Sequence, residues 1–336
     1  MSGRGAGIGG GTRWAILGSA NIAQANFVPA LASAGGGQVT VLGTRDVERG
    51  RVFAAKAGLD IELLSYEEAI DSDAVDAVYV ALPNALHAEW AKLALRAGKL
   101  VLCEKPLGAD PAQVEAVLAE ADASGALLWE AFVFPFHRQM DRVTELVESG
   151  AIGELREIIS SFHFQVRSPA NIRWSKELAG GALNDVGCYP VHLAVLLFKQ
   201  VPEVAVGLQS RTSSGVDAET QGLLGFEGGR RLLFSSGMSR FRDTSTRLVG
   251  TEGELLLTDP YHPTPTDTLT IHRGAELAVE RLVPDEPSFT EMIRHIHAVR
   301  EGRSAPRHLA VFDSLPSAQA LQQVREAARG LARGRR

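Results

Sequence analysis

At 336 residues, with 45% hydrophobic and 22% charged side chains, the chain has a globular composition sized for about two domains, which excludes disorder and fibrous structure. The net charge of -6 and the absence of any Lys/Arg-rich run remove the electrostatic footprint of nucleic-acid binders, so no nucleic-acid partner is expected. No apolar run reaches the roughly 18 to 20 residues of a membrane span and no signal-peptide pattern opens the chain, so a cytoplasmic protein without membrane contact is predicted.

Residues 1–12 form a glycine-rich stretch in which Gly5, Gly7 and Gly10 have G-x-G-x-x-G spacing. No strand precedes them and no helix follows, so nothing aims their amides at a phosphate and a disordered tail is predicted. From Arg13 onward, short β-rich runs alternate with stretches of helical period. Strands are predicted at 14–18, 38–43, 77–82, 100–104 and 127–132. Helices are predicted at 22–34, 47–57, 86–97 and 111–123, the last capped by Asp110 with Pro111 in its first turn. Residues 13–133 therefore read as an α/β Rossmann domain, a parallel doubly wound sheet with helices on both faces.

Beyond about residue 152 strands follow strands, at 157–167, 203–211, 221–226, 231–238, 247–250, 254–258 and 268–272, with turn glycines at Gly228-Gly229 and Glu252-Gly253. Helices are predicted at 190–198, 289–300 and 315–329, and the last can pack back on the first domain. Residues 134–336 thus form a C-terminal α+β domain for substrate binding and oligomerisation, with a large, mostly antiparallel, open-faced sheet. Its apolar face predicts pairing into a homodimer or homotetramer. Cys103 and Cys188 sit in apolar runs without ligand spacing, so neither disulfide nor zinc site is encoded. His295 and His297, two apart on a helix, make no metal pair, and no metal site is predicted.

The first strand runs into Gly18-Ser19-Ala20-Asn21-Ile22-Ala23. Gly18 makes the tight turn, small Ala20 admits a pyrophosphate, small Ala23 lets helix pack on strand, and Asn21 and Ile22 open the helix over the cofactor. An ordinary strand-to-helix turn remains the alternative. A carboxylate at the end of the second strand would grip an NAD ribose, but that strand ends in Gly43-Thr44-Arg45-Asp46. Thr44 and Arg45 suit a 2′-phosphate, so NAD(P)(H) with a lean to NADP(H) is expected, while Asp46 remains within reach of a ribose.

Three further motifs carry a resemblance: Leu82-Pro83-Asn84 with His87, Glu104-Lys105-Pro106, and Gly180-Gly181-Ala182-Leu183 followed by Asp185, Gly187 and Tyr189. Together, over Arg13 to about Gly330, they resemble the glucose-fructose oxidoreductase / inositol dehydrogenase (Gfo/Idh/MocA) family. The resemblance implies a nicotinamide bound along Leu82, Asn84, His87, Glu104 and Lys105, with Lys105, Asp185 and Tyr189 meeting a sugar or cyclic polyol. Tyrosine at 189, where most of the family has histidine, is similar to the branch of dihydrodiol and xylose dehydrogenases and antibiotic-sugar ketoreductases. Within Phe134-Pro135-Phe136-His137-Arg138-Gln139 the branch's usual arginine is replaced by Pro135. His137, Arg173, Trp174 and His192 are further substrate-side candidates.

Hydride exchange between a carbinol carbon and nicotinamide needs a group to take or give the hydroxyl proton. Tyr189 fits that role if a nearby cation lowers its pKa from about 10 by roughly 1 to 3 units. Lys105 is the candidate cation and stabilises the alkoxide, and Asp185 would hold Lys105 or a neighbouring hydroxyl. Each has a plainer reading: a surface lysine, an N-cap, a half-buried aromatic, and for His192 a packed helix histidine. An NAD(P)-dependent oxidoreductase acting on a secondary alcohol or ketone of a sugar is therefore expected. An NAD-dependent glycosidase using transient oxidation, or a dinucleotide-binding sensor, are the alternatives. Six lysines among 34 basic residues, with abundant Ala and Gly, suggest a GC-rich bacterial source and, by association, an antibiotic-pathway substrate such as a nucleotide-linked ketosugar or an aminoglycoside.

Overall fold

The computed structural model describes residues 11–282 and 286–333, with side chains of the last helix to residue 328; the expected disordered tail lies, over residues 1–10, outside the described residues. The first sheet contains β1 (Thr12–Leu17), β2 (Gly37–Gly43), β3 (Glu62–Leu64), β4 (Ala77–Val80), β5 (Leu100–Cys103) and β6 (Leu128–Glu130), all parallel, in the order β3-β2-β1-β4-β5-β6. Order reverses between β1 and β4, which opens a crevice beyond their carboxyl ends. The helices are α1 (Val28–Ala34), α2 (Val47–Ala57), α3 (Tyr66–Asp71), α4 (Asn84–Arg96), α5 (Pro111–Ser124), α6 (Arg138–Glu148), α7 (Cys188–Phe198), α8 (Thr290–Arg300) and α9 (Ala310–Arg333).

The unbroken apolar runs of β4 and β5 are buried on both faces, as the core strands of such a sheet must be. Trp14, Ile16, Tyr79 and Leu102 pack toward one face, and Ala15, Leu17, Val78 and Val101 toward the other. One domain expectation is corrected. Phe289, Met292, Ile293 and Ile296 join Trp14, Phe27 and Tyr79 in the core of the first sheet, so α8 belongs with the Rossmann unit although it follows the second sheet in sequence. Burial of these four apolar side chains against the first sheet outweighs chain order.

The second sheet has nine strands: β7 (Leu155–Gln165), β8 (Val204–Arg211), β9 (Asp217–Gly225), β10 (Arg231–Gly237), β11 (Ser239–Asp243), β12 (Thr246–Gly250), β13 (Gly253–Leu257), β14 (Leu269–Arg273) and β15 (Glu276–Glu280). All neighbours are antiparallel except β7 and β10. Ile158, Phe162, Leu224, Leu232 and Phe234 face α7 and α9 in one core. On the opposite face Val206, Leu208 and Leu223 remain 48%, 55% and 40% exposed. The last helix starts at Ala310, earlier than its predicted start at 315, with Pro316 inside it, and it lies against α5 and β6 as well as α7 and β8. Among the described residues no helix is long and apolar enough to cross a membrane.

Candidate active site

At the dinucleotide end, Gly18 closes the turn after β1 with φ +97°, and a Cβ there would stand 2.7 Å from the Ala81 carbonyl oxygen, so only glycine fits. The chain enters a helical segment at once, with Ala20 and Ile22 half-buried, Asn21 exposed, and a π-turn at Ala23–Phe27 whose Ala23 is fully buried against the sheet. Helix-start amides beside this turn make an anion cradle. The Ser19 hydroxyl is buried within it without a protein partner, an orphan that a pyrophosphate oxygen would satisfy.

In the adjacent loop Asp46 is a helix cap. Its Oδ1 accepts the Arg49 amide at 3.0 Å and caps α2, so one carboxylate oxygen is taken by the helix. Thr44 is mostly buried and closes the loop by donating to the Asp46 carbonyl and accepting the Asp46 amide. Arg45 is exposed, and Arg49, one turn into α2, donates to the Ser19 carbonyl at 3.4 Å. Two arginines thus stand on the loop and first helical turn after β2, and Arg49 reaches back to the turn after β1. Sequence reasoning missed Arg49; a cation in the first turn of a helix, where the dipole favours anions, was the available signal.

At the catalytic end, β5 runs into Glu104, Lys105 and a cis Lys105–Pro106 bond. Lys105 Nζ donates to the Asp185 carbonyl at 2.7 Å and to Asp185 Oδ1 at 3.3 Å, and lies 5.2 Å from the centre of the Tyr189 ring. Arg173 Nε donates to Asp185 Oδ2 at 2.7 Å, so the carboxylate is clamped between two cations. Asp185 lies in a π-helical turn, Leu183–Gly187, leading into α7. Gly181, at φ +119°, lets Asp217 come so close that a Cβ would overlap its carboxylate, and Asp217 Oδ2 accepts the Leu183 amide at 2.7 Å. The double glycine thus seats the start of the Asp185 segment.

The expected lowering of the Tyr189 pKa is corrected. Burial among Phe132, Phe162 and Tyr261 pushes the phenol up, and the opposing Lys105 charge does not overcome it. Burial works against the Lys105 charge, but its acidic neighbours, the Asp185 carboxylate first, oppose it and hold the ammonium above its usual range. Burial alone would raise Asp185, yet Lys105 and Arg173 keep it below the ordinary carboxylate range. Lysine and tyrosine are therefore both protonated at neutral pH.

Several other expected contacts are turned elsewhere. His87 is buried with Nδ1 2.8 Å from the Pro106 carbonyl and Nε2 2.7 Å from the Leu82 carbonyl, so it braces the two loops rather than facing a cofactor. Glu104 is turned inward, accepting from the Tyr79 hydroxyl at 2.6 Å. Asn84 donates to the Ala179 carbonyl at 3.0 Å and ties the domains together, and Leu82 lies in the wall beside Gly18. His192, expected at the substrate, stacks on Phe132 and pairs with Ser317 of α9 at 3.0 Å, because the apolar helix that carries it is buried all round. His137 is buried, with Nε2 3.1 Å from the Ser288 carbonyl and Nδ1 without a partner. Trp174 is half-buried in the loop that carries Arg173.

His262 joins the site unforeseen: its Nε2 is 3.4 Å from the Tyr189 hydroxyl, and burial lowers its pKa to about 4, leaving it neutral. Asp259 sets its loop by accepting the Tyr261 and His262 amides at 3.0 and 2.9 Å. The run Asp259-Pro260-Tyr261-His262-Pro263 after β13 was the sequence signal. Behind Lys105, Glu130 at the end of β6 accepts the Leu107 amide at 2.9 Å and the Ser314 hydroxyl at 2.5 Å.

Residues 12–132 match the oxidoreductase family with an NAD-binding Rossmann fold, Gfo/Idh/MocA, and residues 140–256 match the Gfo/Idh/MocA C-terminal domain. The chain is 36% identical over 334 residues to a dTDP-3,4-didehydro-2,6-dideoxy-alpha-D-glucose 3-reductase from Streptomyces violaceoruber, covering 94% of this chain and 95% of that one. It is 32% identical to an NADP(+) D-xylose 1-dehydrogenase from Haloferax volcanii, covering 86% and 89%. Among solved structures, the 3-ketoreductase KijD10 from Actinomadura kijaniata in complex with NADP and TDP-benzene superposes with a TM-score of 0.86 at 31% identity, covering 94% and 98%. Variants of that protein with a lysine or a tyrosine replaced have also been crystallised, and those two positions have the same separation along the chain as Lys105 and Tyr189.

Proposed function

From the premise that this chain belongs to the Gfo/Idh/MocA oxidoreductase family, we propose that it reduces the ketone of a nucleotide-linked deoxysugar, with NADPH as the preferred cofactor. It is an NAD(P)-dependent oxidoreductase. The observation that carries the finer reading is the pairing of an ammonium and a phenol that both remain protonated at neutral pH.

A bound reduced nicotinamide would supply the hydride; the protein's task is the oxygen left behind. Of the three N–H groups of Lys105, two are spent on Asp185, and the third has no partner among the described residues, so it can meet the carbonyl oxygen. Tyr189 supplies the proton. Loss of that proton is favoured there by the nearby ammonium, whereas a deprotonated Lys105 would leave Asp185 short of a cation. His262 Nε2 stands 3.4 Å from the phenol oxygen, and as the Nε2–H tautomer it would donate to that oxygen and turn the phenolic hydrogen toward the substrate.

Arg45 and Arg49, with one Asp46 oxygen taken by its helix, support a 2′-phosphate and hence NADP(H). The relatives that act on dTDP-deoxysugars support a sugar substrate of antibiotic biosynthesis, in the cytoplasm where nicotinamide dinucleotides circulate. The exposed Val206, Leu208 and Leu223 line, with Ile159 and Leu233, an apolar trough of about 380 Å³, and a second copy of the chain would cover it as a homodimer or homotetramer. Sedimentation giving only monomer would remove that part of the reading.

The test is turnover. Incubation with NADPH and a panel of nucleotide-linked ketosugars should consume the reduced-nicotinamide absorbance in proportion to ketone lost. Hydrolysis of a glycoside without net change in that absorbance would overturn it in favour of the glycosidase chemistry.

A further inference from the structure

The turn that presents Lys105 is held from behind by a residue that touches neither the cofactor cradle nor the Asp185 clamp. Glu130 is 8% exposed and its two oxygens are divided: one accepts the Leu107 amide, two residues past Lys105, and the other accepts Ser314 on α9. Leu107 is itself 1% exposed, so its amide has no access to water if Glu130 is lost. Ser314 is equally enclosed, and α9 reaches it from the far end of the chain.

The same helix braces the other half of the site. Ser317 pairs with His192 of α7 at 3.0 Å, and Arg325 donates to Asn184, the neighbour of Asp185, at 2.7 Å. One helix thus fixes both partners of the Lys105–Asp185 contact, the lysine turn through Glu130 and the aspartate turn through Asn184 and His192.

We propose that Glu130 is the positioning residue of Lys105, transmitting the docking of α9 to the lysine turn through the Leu107 amide. This rests on the reading of Lys105 as the group that meets the substrate oxygen. Burial pushes the Glu130 carboxyl up to about 7, against the hydrogen bonds from Ser314 and Leu107 and the charge of Lys105. Its function is as an acceptor, not as a charge. Glutamine keeps one oxygen for Leu107 and an NH2 group for the Ser314 oxygen, so it preserves the hold, whereas alanine removes both contacts.

The experiment compares wild type, Glu130→Ala, Glu130→Gln and Ser314→Ala by steady-state kinetics on the ketosugar that wild type turns over. In parallel, the labelling of each of the six lysines by an acetylating N-hydroxysuccinimide ester is followed by mass spectrometry. Glu130→Ala should lose about 10- to 100-fold in kcat with substrate KM and NADPH Kd within about 3-fold, and Lys105 should label faster while the other five lysines do not. Glu130→Gln should recover kcat and Lys105 protection to within about 3-fold of wild type. Ser314→Ala, which leaves Glu130 in place, should show the same pattern at about 5- to 10-fold; it stands in if Glu130→Ala does not fold, and unchanged kcat and Lys105 labelling in it would then overturn the proposal.

Equal losses in the alanine and glutamine variants, or unchanged kcat and Lys105 labelling in a folded Glu130→Ala, would overturn the proposal. If instead Lys105→Ala turned over at the wild-type rate, the catalytic reading would fail while the labelling comparison still decided whether Glu130 holds the turn.

Discussion

At the dinucleotide end of the cleft, the turn at Gly18 and the loop from Thr44 to Arg49 lie close in sequence on neighbouring strands, and each group is placed by the backbone of its own turn. At the catalytic end, Lys105, Arg173, Asp185, Tyr189 and His262 arrive from distant segments of two domains and are placed by one another. The first arrangement keeps its charges at the rim, where Arg45 and Arg49 are exposed. The second encloses Lys105 and Asp185, whose pairing keeps both charged against the pull of burial, while burial keeps the Tyr189 phenol protonated. On the proposed reading, local geometry gives the cofactor end affinity and enclosure gives the catalytic end its chemistry.

The largest effect that would test this contrast is at the buried end. Lys105→Ala should lower kcat for ketone reduction about 1000-fold, the scale for removing a donor to a developing oxyanion, with NADPH Kd within about 2-fold by fluorescence titration. Tyr189→Phe should cost about 100-fold in kcat, the scale of general acid catalysis, again without a change in cofactor affinity. At the rim the pattern should invert. Replacing Arg45 and Arg49 together by alanine should weaken NADPH binding about 30-fold, leave NADH binding unchanged and spare kcat at saturating cofactor.

The smallest effect concerns stability. Burial, with a lesser contribution from His308, lowers the His192 pKa to about 3. Above an unfolded value near 6.5 both states are neutral and His192 costs nothing; as pH falls below about 6.5 the unfolded chain takes up a proton that the folded one refuses, and stability declines toward about pH 3. His192→Phe keeps the stacking on Phe132, so it should lose on the order of 1 kcal/mol less than wild type between about pH 7 and pH 5.5 in denaturant titrations.

Much of the fold was legible because it is local. Short apolar runs alternating with helical periods give the parallel sheet, and β-rich runs with turn glycines give the antiparallel one. Of the elements that escaped, α6 was legible, with Met140, Val143 and Leu146 at helical spacing among charged residues, and was not read; others had weak local signals. Residues 62–64 form a strand too short for a pattern, although the Ser65–Glu68 capping box marks the helix after it. Residues 239–243 form a strand exposed along its whole length, with no apolar face to betray it. At the site, motifs identified Lys105, Asp185 and Tyr189, but the contacts of His262, Glu130 and α9 join positions far apart and leave no periodic trace. The direction of the Tyr189 shift was missed for the same reason: its sign depends on burial supplied by β7 and by the His262 loop, neither adjacent in sequence.

The most direct test of the central claim, that the catalytic end is held protonated and built to give a proton, is the pH dependence of kcat for ketone reduction by the wild-type enzyme. With both the ammonium and the phenol held above their ordinary ranges, the rate should be flat from about pH 7.5 to 9.5. A tenfold loss per pH unit above an apparent pKa near 8 would contradict the account, because it would require a tyrosine lowered by its lysine rather than raised by its surroundings.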